Sequence, residues 1–462
     1  MKRRLLPLLL VLLLLTAFGC PNSENADKKP AGPPPGTRLR ILIVDDPFLA
    51  QSIGYLQSEW EAQSGVSLEI TEAESGGFDV QKAPEADVVI APTWMLAQAV
   101  EAGWVVPLPE GVVANNESDW SNVFSQIRTW EVTRSGKPMA VPFGSPVAVL
   151  YCRSDLLEKA GLKVPATWDE YSKAVAALEG TPAAEPLAEG WAGLTLLARS
   201  ASYATHADNL STLFRISTME PLIAGPPFVR ALEELVATSD AASLDMDPAA
   251  VRAAFWQGNA AMAITWPTAA DEQVAEIEAE FPAGVTELPG SHDVYDLGDT
   301  AWEKRDKDSD GRVPLLASTG RIGMVTTGSQ WPDVSLQLLL WLTDEKWSAQ
   351  VCSRSMNTTL FRNSHVATVS GWVEPPMPED AARQYGDAIA TALERQEHLL
   401  ALAIPGRPQY LAALDEAVRA AVKKEKTPQE ALDGAAARWK EITKELGVEK
   451  QKKAYRGSLG LK

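Results

Sequence analysis

The residues best suited to chemistry in this 462-residue chain are acids and aromatics, not a recognisable catalytic set. The sequence contains no G-x-S-x-G, P-loop, G-x-G-x-x-G, H-E-x-x-H or Cys-x-x-Cys motif. The histidines follow no metal-ligand spacing; they are His206, His292, His365 and His398. We therefore predict no enzymatic activity, no metal site and no cofactor. A secreted hydrolase that uses two distant carboxylates is the alternative, because it would leave no local motif.

One acidic segment, 306–311 (DKDSDG), has the first half of a calcium-binding loop. Acids occupy its first, third and fifth positions, and a glycine follows them. The twelfth position is Ala317 where such a loop needs a bidentate Glu, and Pro314 intrudes. We interpret the segment as a solvated acidic turn and keep calcium binding as the alternative.

Acidic, hydroxyl and aromatic side chains follow two predicted strands near the start of the chain. The buried strands predicted there are 39–44, 66–70 and 87–91. Helices alternate with them, which predicts a mostly parallel sheet that binds ligands at the carboxyl ends of its strands. Asp45, Asp46 and Phe48 follow the first strand, and Thr93 and Trp94 follow the third. Carboxylates accept hydrogen bonds from hydroxyls and aromatic faces pack on sugar rings, although helix capping could claim one aspartate.

A second candidate region is an apolar, β-rich stretch that prolines interrupt. Residues 139–152 contain Pro142 and Pro146, which one central strand cannot carry. We therefore predict two strands joined by a Phe-Gly-Ser-Pro crossing from one lobe to another. Phe143 and Ser145 would then line the space between the lobes, and two lobes joined at few crossings can hinge around a ligand.

The segment after this crossing resembles a known family. Residues 151–171, YCRSDLLEKAGLKVPATWDEY, are similar to the signature of the family-1, sugar-type extracellular solute-binding proteins of ABC importers. Cys152-Arg153 departs from it, because the family usually shows Tyr or Asn there. Further similar segments follow in family order: 255–264 (FWQGNAAMAI), 321–329 (RIGMVTTGS) and 427–432 (TPQEAL). The resemblance implies an α/β, two-lobed periplasmic-binding-protein fold of class II type, with two doubly wound lobes joined by hinge crossings.

The resemblance also implies a function. The chain would be the substrate-binding component of an ABC importer, capturing a carbohydrate, most simply an oligosaccharide, and delivering it as a monomer to permease and ATPase subunits. Trp266 follows a predicted strand at the cleft, Arg321 begins the strand that returns to the first lobe, and Tyr203 and Tyr410 resemble family positions that reach the cleft. Core packing is the alternative for the aromatics, and a salt bridge for Arg321. A polyamine, phosphate ester or metal chelate remains an alternative solute.

Lobe boundaries follow from the crossings and the resemblance. We expect an N-terminal lobe of 37–143 with 321–360 and a C-terminal lobe of 144–320 with 361–447. Residues 448–462 are basic and weakly patterned, so we predict a loose tail. Capping boxes are predicted at Thr167 with Glu170 and at Thr427 with Glu430.

The amino terminus has the features of an export signal. Three basic residues precede an apolar run, 5–15, that is too short to span a membrane, so 1–19 is predicted to be a signal peptide. Cleavage after Gly19 would expose Cys20 in a lipobox-like context as a lipid anchor; ordinary secretion is the alternative. Residues 20–36, the lipidated cysteine and a proline-rich tether, would be disordered. We therefore expect an exported protein at the periplasmic or cell-surface face, held to a membrane by lipid alone.

Charge and cysteine content narrow the partners. A formal net charge of −19 disfavours nucleic acid. Cys152 and Cys352 could form a disulfide in an oxidising compartment or remain two buried thiols, and the sequence leaves both open.

Overall fold

The computed structural model describes residues 34–114, 119–178, 180–269 and 274–461. The predicted signal peptide, Cys20 and most of the tether lie outside these residues. The described strands are β1 Arg38–Val44, β2 Ser67–Ala73, β3 Val88–Pro92, β4 Thr133–Arg134, β5 Lys137–Pro138, β6 Val141–Gly144, β7 Val149–Arg153, β8 Ala183–Ala184, β9 Phe214–Arg215, β10 Glu220–Pro221, β11 Met262–Thr265, β12 Ala283–Glu287, β13 Asp293–Asp296, β14 Ala301–Lys304, β15 Leu315–Leu316, β16 Arg321–Val325 and β17 Leu399–Leu400.

Helices connect and cover these strands. The described α-helices are α1 Pro47–Tyr55, α2 Gln57–Ser64, α3 Leu96–Glu101, α4 Glu110–Ala114, α5 Ser154–Lys159, α6 Trp168–Ala177, α7 Ala192–Ala204, α8 Pro226–Thr238, α9 Pro248–Trp256, α10 Pro332–Leu342, α11 Ser348–Cys352, α12 Asn363–Val366, α13 Glu379–Ala392, α14 Arg407–Val422, α15 Pro428–Leu446 and α16 Val448–Ser458. A search of the described residues finds no helix with the length and apolar character needed to cross a bilayer.

The first sheet has the strand order β2-β1-β3-β16-β6. β1 runs parallel to β2 and β3, and β16 runs antiparallel to β3 and β6. β3 and β16 are buried along their whole length, as expected for central strands with both faces covered. The three strands predicted from apolar runs correspond to β1, β2 and β3, so the sequence placed this lobe's framework correctly.

The second sheet has the order β12-β7-β11-β8. β7 is antiparallel to both β11 and β12, and only the short β8 is parallel to β11. The second sheet is therefore mixed, whereas the mostly parallel arrangement predicted for the start of the chain is found in the first lobe. The reason is that β7 leads away from the first lobe, whereas β11 and β12 run back toward it.

The predicted crossing between two strands is confirmed. β6 ends at Gly144 in the first sheet, and β7 begins at Val149 in the second. A second crossing, 317–320, separates β15 from β16. Gly144 has φ +116°, and a Cβ placed there would lie 2.3 Å from the Thr359 carbonyl oxygen. A third stretch of chain therefore packs directly against the first crossing, and only glycine fits at that contact.

Residues 361–393 join the two lobes. Phe361, Trp372 and Tyr385 belong to the apolar core that includes the first sheet. α13 in the same segment packs on β12 of the second sheet. Residues 361–393, which the sequence assigned to the C-terminal lobe, therefore contact the sheets of both lobes.

Both predicted capping boxes are confirmed. The Thr167 hydroxyl accepts from the Glu170 amide and the Glu170 carboxylate accepts from the Thr167 amide, and Thr427 and Glu430 do the same at α15. Each box satisfies amide donors that the first turn of a helix leaves unpaired.

The predicted loose tail is wrong for most of its length, because Val448–Ser458 form α16. Tyr455 anchors this helix: its ring lies 5.3 Å from the ring of Phe214, and its hydroxyl is 2.7 Å from the Ser211 Oγ. One buried aromatic on an otherwise polar segment produced too weak a periodic signal to be read from the sequence.

The sequence left open whether Cys152 and Cys352 form a disulfide and whether the acidic turn, 306–311, binds calcium. Cys152 and Cys352 are free and buried, and burial raises the pKa of the Cys152 thiol to about 12. In the acidic turn, the Asp310 carboxylate pairs with Arg395 at 2.7 Å. This ion pair gives the turn a structural role.

Candidate functional site

Four strands of the first sheet end at one edge, where the candidate residues meet. Arg321, the first residue of β16, is opposite Pro92 of β3 and Gly144 of β6. The Thr93 amide donates to the Gly320 carbonyl at 3.2 Å. An Nη2 proton of Arg321 is donated to the Asp45 carbonyl at 2.6 Å. Asp45 and Thr93 follow the carboxyl ends of parallel strands, and Arg321 reaches the same edge because antiparallel β16 begins there.

Asp46 holds Arg321 in place. Its Oδ1 caps α1 by accepting from the Leu49 amide at 3.0 Å, and its Oδ2 lies 3.1 Å from Arg321 Nε. Ser355 Oγ donates to the same Oδ2 at 2.6 Å. Asp46 and Arg321 are 2% and 5% exposed, so Asp46 is committed to capping and to a buried ion pair. This is the alternative role that the sequence left open for one aspartate, and the salt bridge is likewise the alternative that it left open for Arg321.

Asp45 is placed differently from its neighbour. It has φ +54°, and its Oδ1 accepts from the Ser75 amide at 2.7 Å. Its side chain is only partly buried. Asp45 therefore shapes the exit from β1 and still presents an accessible carboxylate at the sheet edge, whereas Phe48, at 38% exposure, lies on the outer surface of α1.

The two crossings touch at Gly320. A Cβ at this position would lie 2.8 Å from both the Thr93 Oγ1 and the Ser145 Oγ. Ser145 Oγ donates to the Thr319 carbonyl at 3.2 Å. Hydroxyls from the first sheet edge and from both crossings thus converge on one small region.

Many polar atoms in this region lack a hydrogen-bond partner. Among the described residues, the following buried side-chain atoms at the junction of the lobes have none: Thr93 Oγ1, Glu131 Oε1, Trp266 Nε1, Ser318 Oγ, Thr319 Oγ1 and Arg407 Nε. Buried polar groups in folded proteins are nearly always paired, so such a concentration needs a reason. A ligand rich in hydroxyl groups would satisfy donors and acceptors alike.

Arg407 brings a cation from the second lobe to this region. It is the first residue of α14, it is 7% exposed, and its Nη2 donates to the Ser318 carbonyl at 2.6 Å. Its guanidinium carbon lies 5.5 Å from the centroid of the half-buried Trp94 ring. Burial, together with the nearby positive charge of Arg321, lowers the pKa of Arg407 to about 10. No sequence pattern singled out Arg407, although a cation between Gly406 and Pro408 at a predicted helix start was a visible signal.

Glu131 is a second residue that the sequence analysis missed. It ends a π-helical turn, Ile127–Glu131, and is 2% exposed. Burial raises the pKa of its carboxyl to about 7, although hydrogen bonds from Ser145 and the Ala317 backbone oppose the shift. A carboxyl with this pKa can donate or accept a hydrogen bond near neutral pH. A single Glu on a short, irregular turn gave no sequence signal.

Trp266 lies where β11 leaves the second sheet, and Trp191 lies beside it with ring centroids 5.2 Å apart. Two residues further on, Thr268 Oγ1 donates to the Ser355 carbonyl at 3.0 Å. Ser355 also binds Asp46, so this contact links the exit of β11 to the exit of β1. The aromatic pair is therefore tied to the edge of the first sheet through Ser355.

Three predicted ligand-facing residues are placed elsewhere. Phe143 is fully buried in the first lobe's core, where a Cβ on Gly323 would lie 2.9 Å from its ring. Tyr203 donates to Glu234 at 2.7 Å beneath Arg230, and Tyr410 hydrogen-bonds to Thr443 at 2.8 Å. The expectation that these side chains line the space between the lobes is wrong, because each has its partners inside one lobe. The alternative of packing holds for Tyr203 and Tyr410.

Comparisons with known proteins agree with this architecture. A family model described as bacterial extracellular solute-binding protein matches residues 49–346. A solute-binding protein of an ABC transporter from Agrobacterium radiobacter K84, in complex with ribitol, is 18% identical with a TM-score of 0.64, covering 88% of this chain and 99% of its own. Maltose-bound MalE3 of T. maritima is 16% identical with a TM-score of 0.63, covering 88% and 100%. The sugar-binding protein MalE of Xanthomonas citri is 16% identical with a TM-score of 0.64, covering 89% and 98%.

Proposed function

Because the chain belongs to the bacterial extracellular solute-binding protein family, we propose that it captures a carbohydrate between its lobes and delivers it to an ABC importer. The family and the two-lobed α/β fold predicted from the sequence are both confirmed. The carbohydrate, the permease and ATPase partners and the monomeric state are parts of the proposal.

The observation that carries the proposal is the cluster of unpaired, buried polar atoms beside two tryptophans. Thr93 Oγ1, Ser318 Oγ and Thr319 Oγ1 lie at the junction of the lobes with no partner among the described residues. Trp94 from the first lobe and Trp266 from the second add aromatic surface. Saccharides present hydroxyls in several directions and a C–H face that packs on aromatic rings, so they match both features.

Binding would couple to movement of the lobes. The chain passes between the sheets at 145–148 and 317–320, and the glycines at these crossings, Gly144 and Gly320, both have φ +116°. A few such positions can absorb the backbone rotation of a hinge. Residues of both lobes contact across the site, as Arg407 does with Trp94, so a ligand held there would stabilise the closed arrangement.

The charged side chains of the site argue against two alternatives, a polyamine ligand and a hydrolase. A polyamine is disfavoured because Arg407 places a positive charge in the site that no carboxylate of the described residues pairs with, and this charge repels a cationic ligand. A hydrolase would need two carboxyls about 5–10 Å apart on either side of the substrate. Glu131 could be one of them, but Asp46 is committed to Arg321 and to the cap of α1, and Asp45 accepts from the Ser75 amide at the exit of β1. We therefore propose binding without bond cleavage.

Cellular placement follows the sequence expectations. We propose that residues 1–19 direct export, that Cys20 carries a lipid, and that 20–36 tether lobes made of 37–143 with 321–360 and 144–320 with 361–447. Mass spectrometry of the membrane-extracted protein checks this part. Cleavage after Gly19 would remove the mass of residues 1–19, and acylation of Cys20 would add the mass of a lipid.

A panel of mono- and oligosaccharides tests the proposed function. The melting temperature and tryptophan fluorescence of the protein from residue 21 onward are measured with each saccharide. We expect saccharide-dependent increases in melting temperature with no product detectable by chromatography. Hydrolysis of a panel member would favour the enzyme, and a panel in which no saccharide changes either signal would overturn the proposal.

A further inference from the structure

We infer that the solute is an acidic saccharide, one whose ring carries a carboxylate that Arg407 binds. This inference rests on the proposed function, because it names the class of carbohydrate that the same site takes. It goes beyond a site for neutral sugars, and the reason is the charge balance around Arg407.

Arg407 is a buried cation at the junction of the lobes. No carboxylate of the described residues lies within ion-pair distance of its guanidinium, and the one charge that shifts its pKa is that of Arg321. Its contacts within the protein are the Ser318 carbonyl and the face of Trp94. Buried charges in folded proteins are nearly always paired, so one with a like-charged neighbour marks a place where a counter-charge binds.

Neighbouring acids do not supply that counter-charge. Asp46 neutralises Arg321, with its Oδ2 3.1 Å from Nε. The carboxyl of Glu131 interacts with Ser145, Ala317 and the positive charge of Arg134, not with Arg407. Asp45 acts on the pKa of Arg321 but not on that of Arg407. In the described part of the chain, the site therefore retains one positive charge without a counter-charge, that of Arg407.

The position of Arg407 on its helix adds to this imbalance. It occupies the first turn of the 16-residue α14, whose amino-terminal end carries the positive pole of the helix dipole. Cations are favourable at the opposite end of a helix, so burial, Arg321 and the dipole all disfavour a positive charge here. An anion would reverse each of these effects at once.

The groups around Arg407 suit a sugar acid better than a simple anion. A planar guanidinium can bind a carboxylate through two parallel hydrogen bonds, and Arg407 Nε has no partner among the described residues. Beside it, Trp94 offers a ring face, and the hydroxyls of Thr93 and Ser318 are unpaired. A pyranose ring on Trp94 with its carboxylate on Arg407 would use all of these groups.

Matched acid and ester ligands give the decisive test. We would titrate the protein from residue 21 onward calorimetrically with trigalacturonate, trimannuronate and a glucuronate-containing disaccharide, each against its methyl ester, with maltotriose and cellotriose as neutral probes. Esterification removes the charge and keeps the ring. We expect at least one acid to bind about 10- to 100-fold more tightly than its ester, as a charge-assisted pair implies.

Variants then assign the selectivity to one residue. Arg407→Gln should reduce the acid-to-ester ratio to about 1–3, Arg407→Lys should retain part of it, and the exposed Arg383→Gln should leave it unchanged. Since Arg407→Gln removes an unpaired buried charge, its melting temperature without ligand should stay level or rise. A purely structural Arg407 would instead give a lower melting temperature with an unchanged ratio, which contradicts the inference.

The two proposals fail in different ways. Equal affinity for each acid and its ester, or binding of maltotriose or cellotriose alone, would overturn the acidic ligand and leave carbohydrate capture standing. Absence of binding by every acidic and neutral saccharide would overturn both.

Discussion

Lys453 Nζ on α16 lies 3.0 Å from Glu101 Oε1 on α3, so the last helix of the chain reaches from the second lobe to the first. Nearby, a Cβ on Gly460 would lie 3.6 Å from the Trp130 ring. The Lys453 side chain is 76% exposed, so the ion pair itself contributes little, about 0–1 kcal/mol. The buried residues of α16 attach it instead: the ring of Tyr455 packs in the core, and Gln451 Nε2 donates to the Pro405 carbonyl at 3.2 Å.

We therefore predict a large difference between two substitutions on α16. Tyr455→Ala should lower the free energy of unfolding by about 3–5 kcal/mol, because it removes a buried ring packed against Phe214. Lys453→Ala should change it by about 0–1 kcal/mol. Urea unfolding monitored by circular dichroism measures both, and similar values for the two variants would contradict the anchoring role of Tyr455.

The buried Glu131 carboxyl should make stability depend on pH. Burial raises its pKa from 4.5 to about 7, so the folded protein keeps a proton that the unfolded chain releases near pH 4.5. The contribution of this group is fully present below about pH 4.5 and is lost as pH rises through 7. The unfolding free energy of the wild type should fall relative to Glu131→Gln by about 3 kcal/mol across this interval.

Unfolding of both proteins at several pH values between 4 and 8 checks this prediction. The difference between them isolates Glu131 from the other titrating groups. A difference that stays constant over the interval would show that the carboxyl has an ordinary pKa in the folded protein.

The features that could be predicted from the sequence are those set by residues close together in the chain or by general rules of strand packing. The Thr167–Glu170 capping box is set by neighbours in the chain, and the placing of Asp45 and Thr93 at one sheet edge follows from a general rule of parallel strands. Phe143 was misplaced because the prolines around it break the alternation that would reveal which face it occupies.

Long-range contacts were beyond the sequence. Glu131 and Arg407 lie 276 positions apart, and their burial depends on packing between segments whose relative position no local pattern encodes. Tyr203 and Tyr410 illustrate the same limit, since an aromatic on a helix buried on several sides carries no mark of which neighbour it will touch. The family resemblance implied that both tyrosines reach the cleft, but each has its partners inside one lobe.

The Asp46–Arg321 pair should be essential to folding. Asp46→Asn leaves the Arg321 guanidinium buried without its counter-charge, so we expect a loss of about 3–5 kcal/mol in unfolding free energy. The double variant Asp46→Asn with Arg321→Gln should recover part of this loss, because it removes the unpaired charge as well. Asp380→Asn, which disturbs an exposed pair with Arg383, is the control and should cost about 0–1 kcal/mol.

A double-mutant cycle from chemical denaturation gives the coupling energy of the Asp46–Arg321 pair. Additive single effects, with no recovery in the double variant, would mean that the two side chains stabilise the fold independently.

Gly320 should resist substitution for steric reasons. In Gly320→Ala the new Cβ would lie 2.8 Å from the Thr93 and Ser145 hydroxyl oxygens, and the backbone has φ +116°. Gly161→Ala is a matched control, because it has φ +69° but no atom within 4 Å of the new Cβ. Both should lose about 1–2 kcal/mol from backbone strain, and Gly320→Ala should lose more and bind saccharide more weakly. Equal losses with unchanged binding would show that the contact at Gly320 relaxes freely.

Substitution of two buried tryptophans by phenylalanine should mainly affect saccharide affinity in one case and the free energy of unfolding in the other. Trp266 Nε1 has no hydrogen-bond partner among the described residues, whereas Trp439 Nε1 donates to the Tyr410 carbonyl at 2.7 Å. Both substitutions shrink a buried ring and cost some stability, but Trp266→Phe breaks no hydrogen bond among the described residues and should weaken saccharide binding about 3- to 10-fold, because a ligand acceptor loses its donor. Trp439→Phe should lower the free energy of unfolding by about 1–3 kcal/mol, since it strands a buried carbonyl, and should leave affinity unchanged. Calorimetric titration and urea unfolding of both variants measure the two effects, and unchanged affinity in Trp266→Phe would remove its N–H from the binding site.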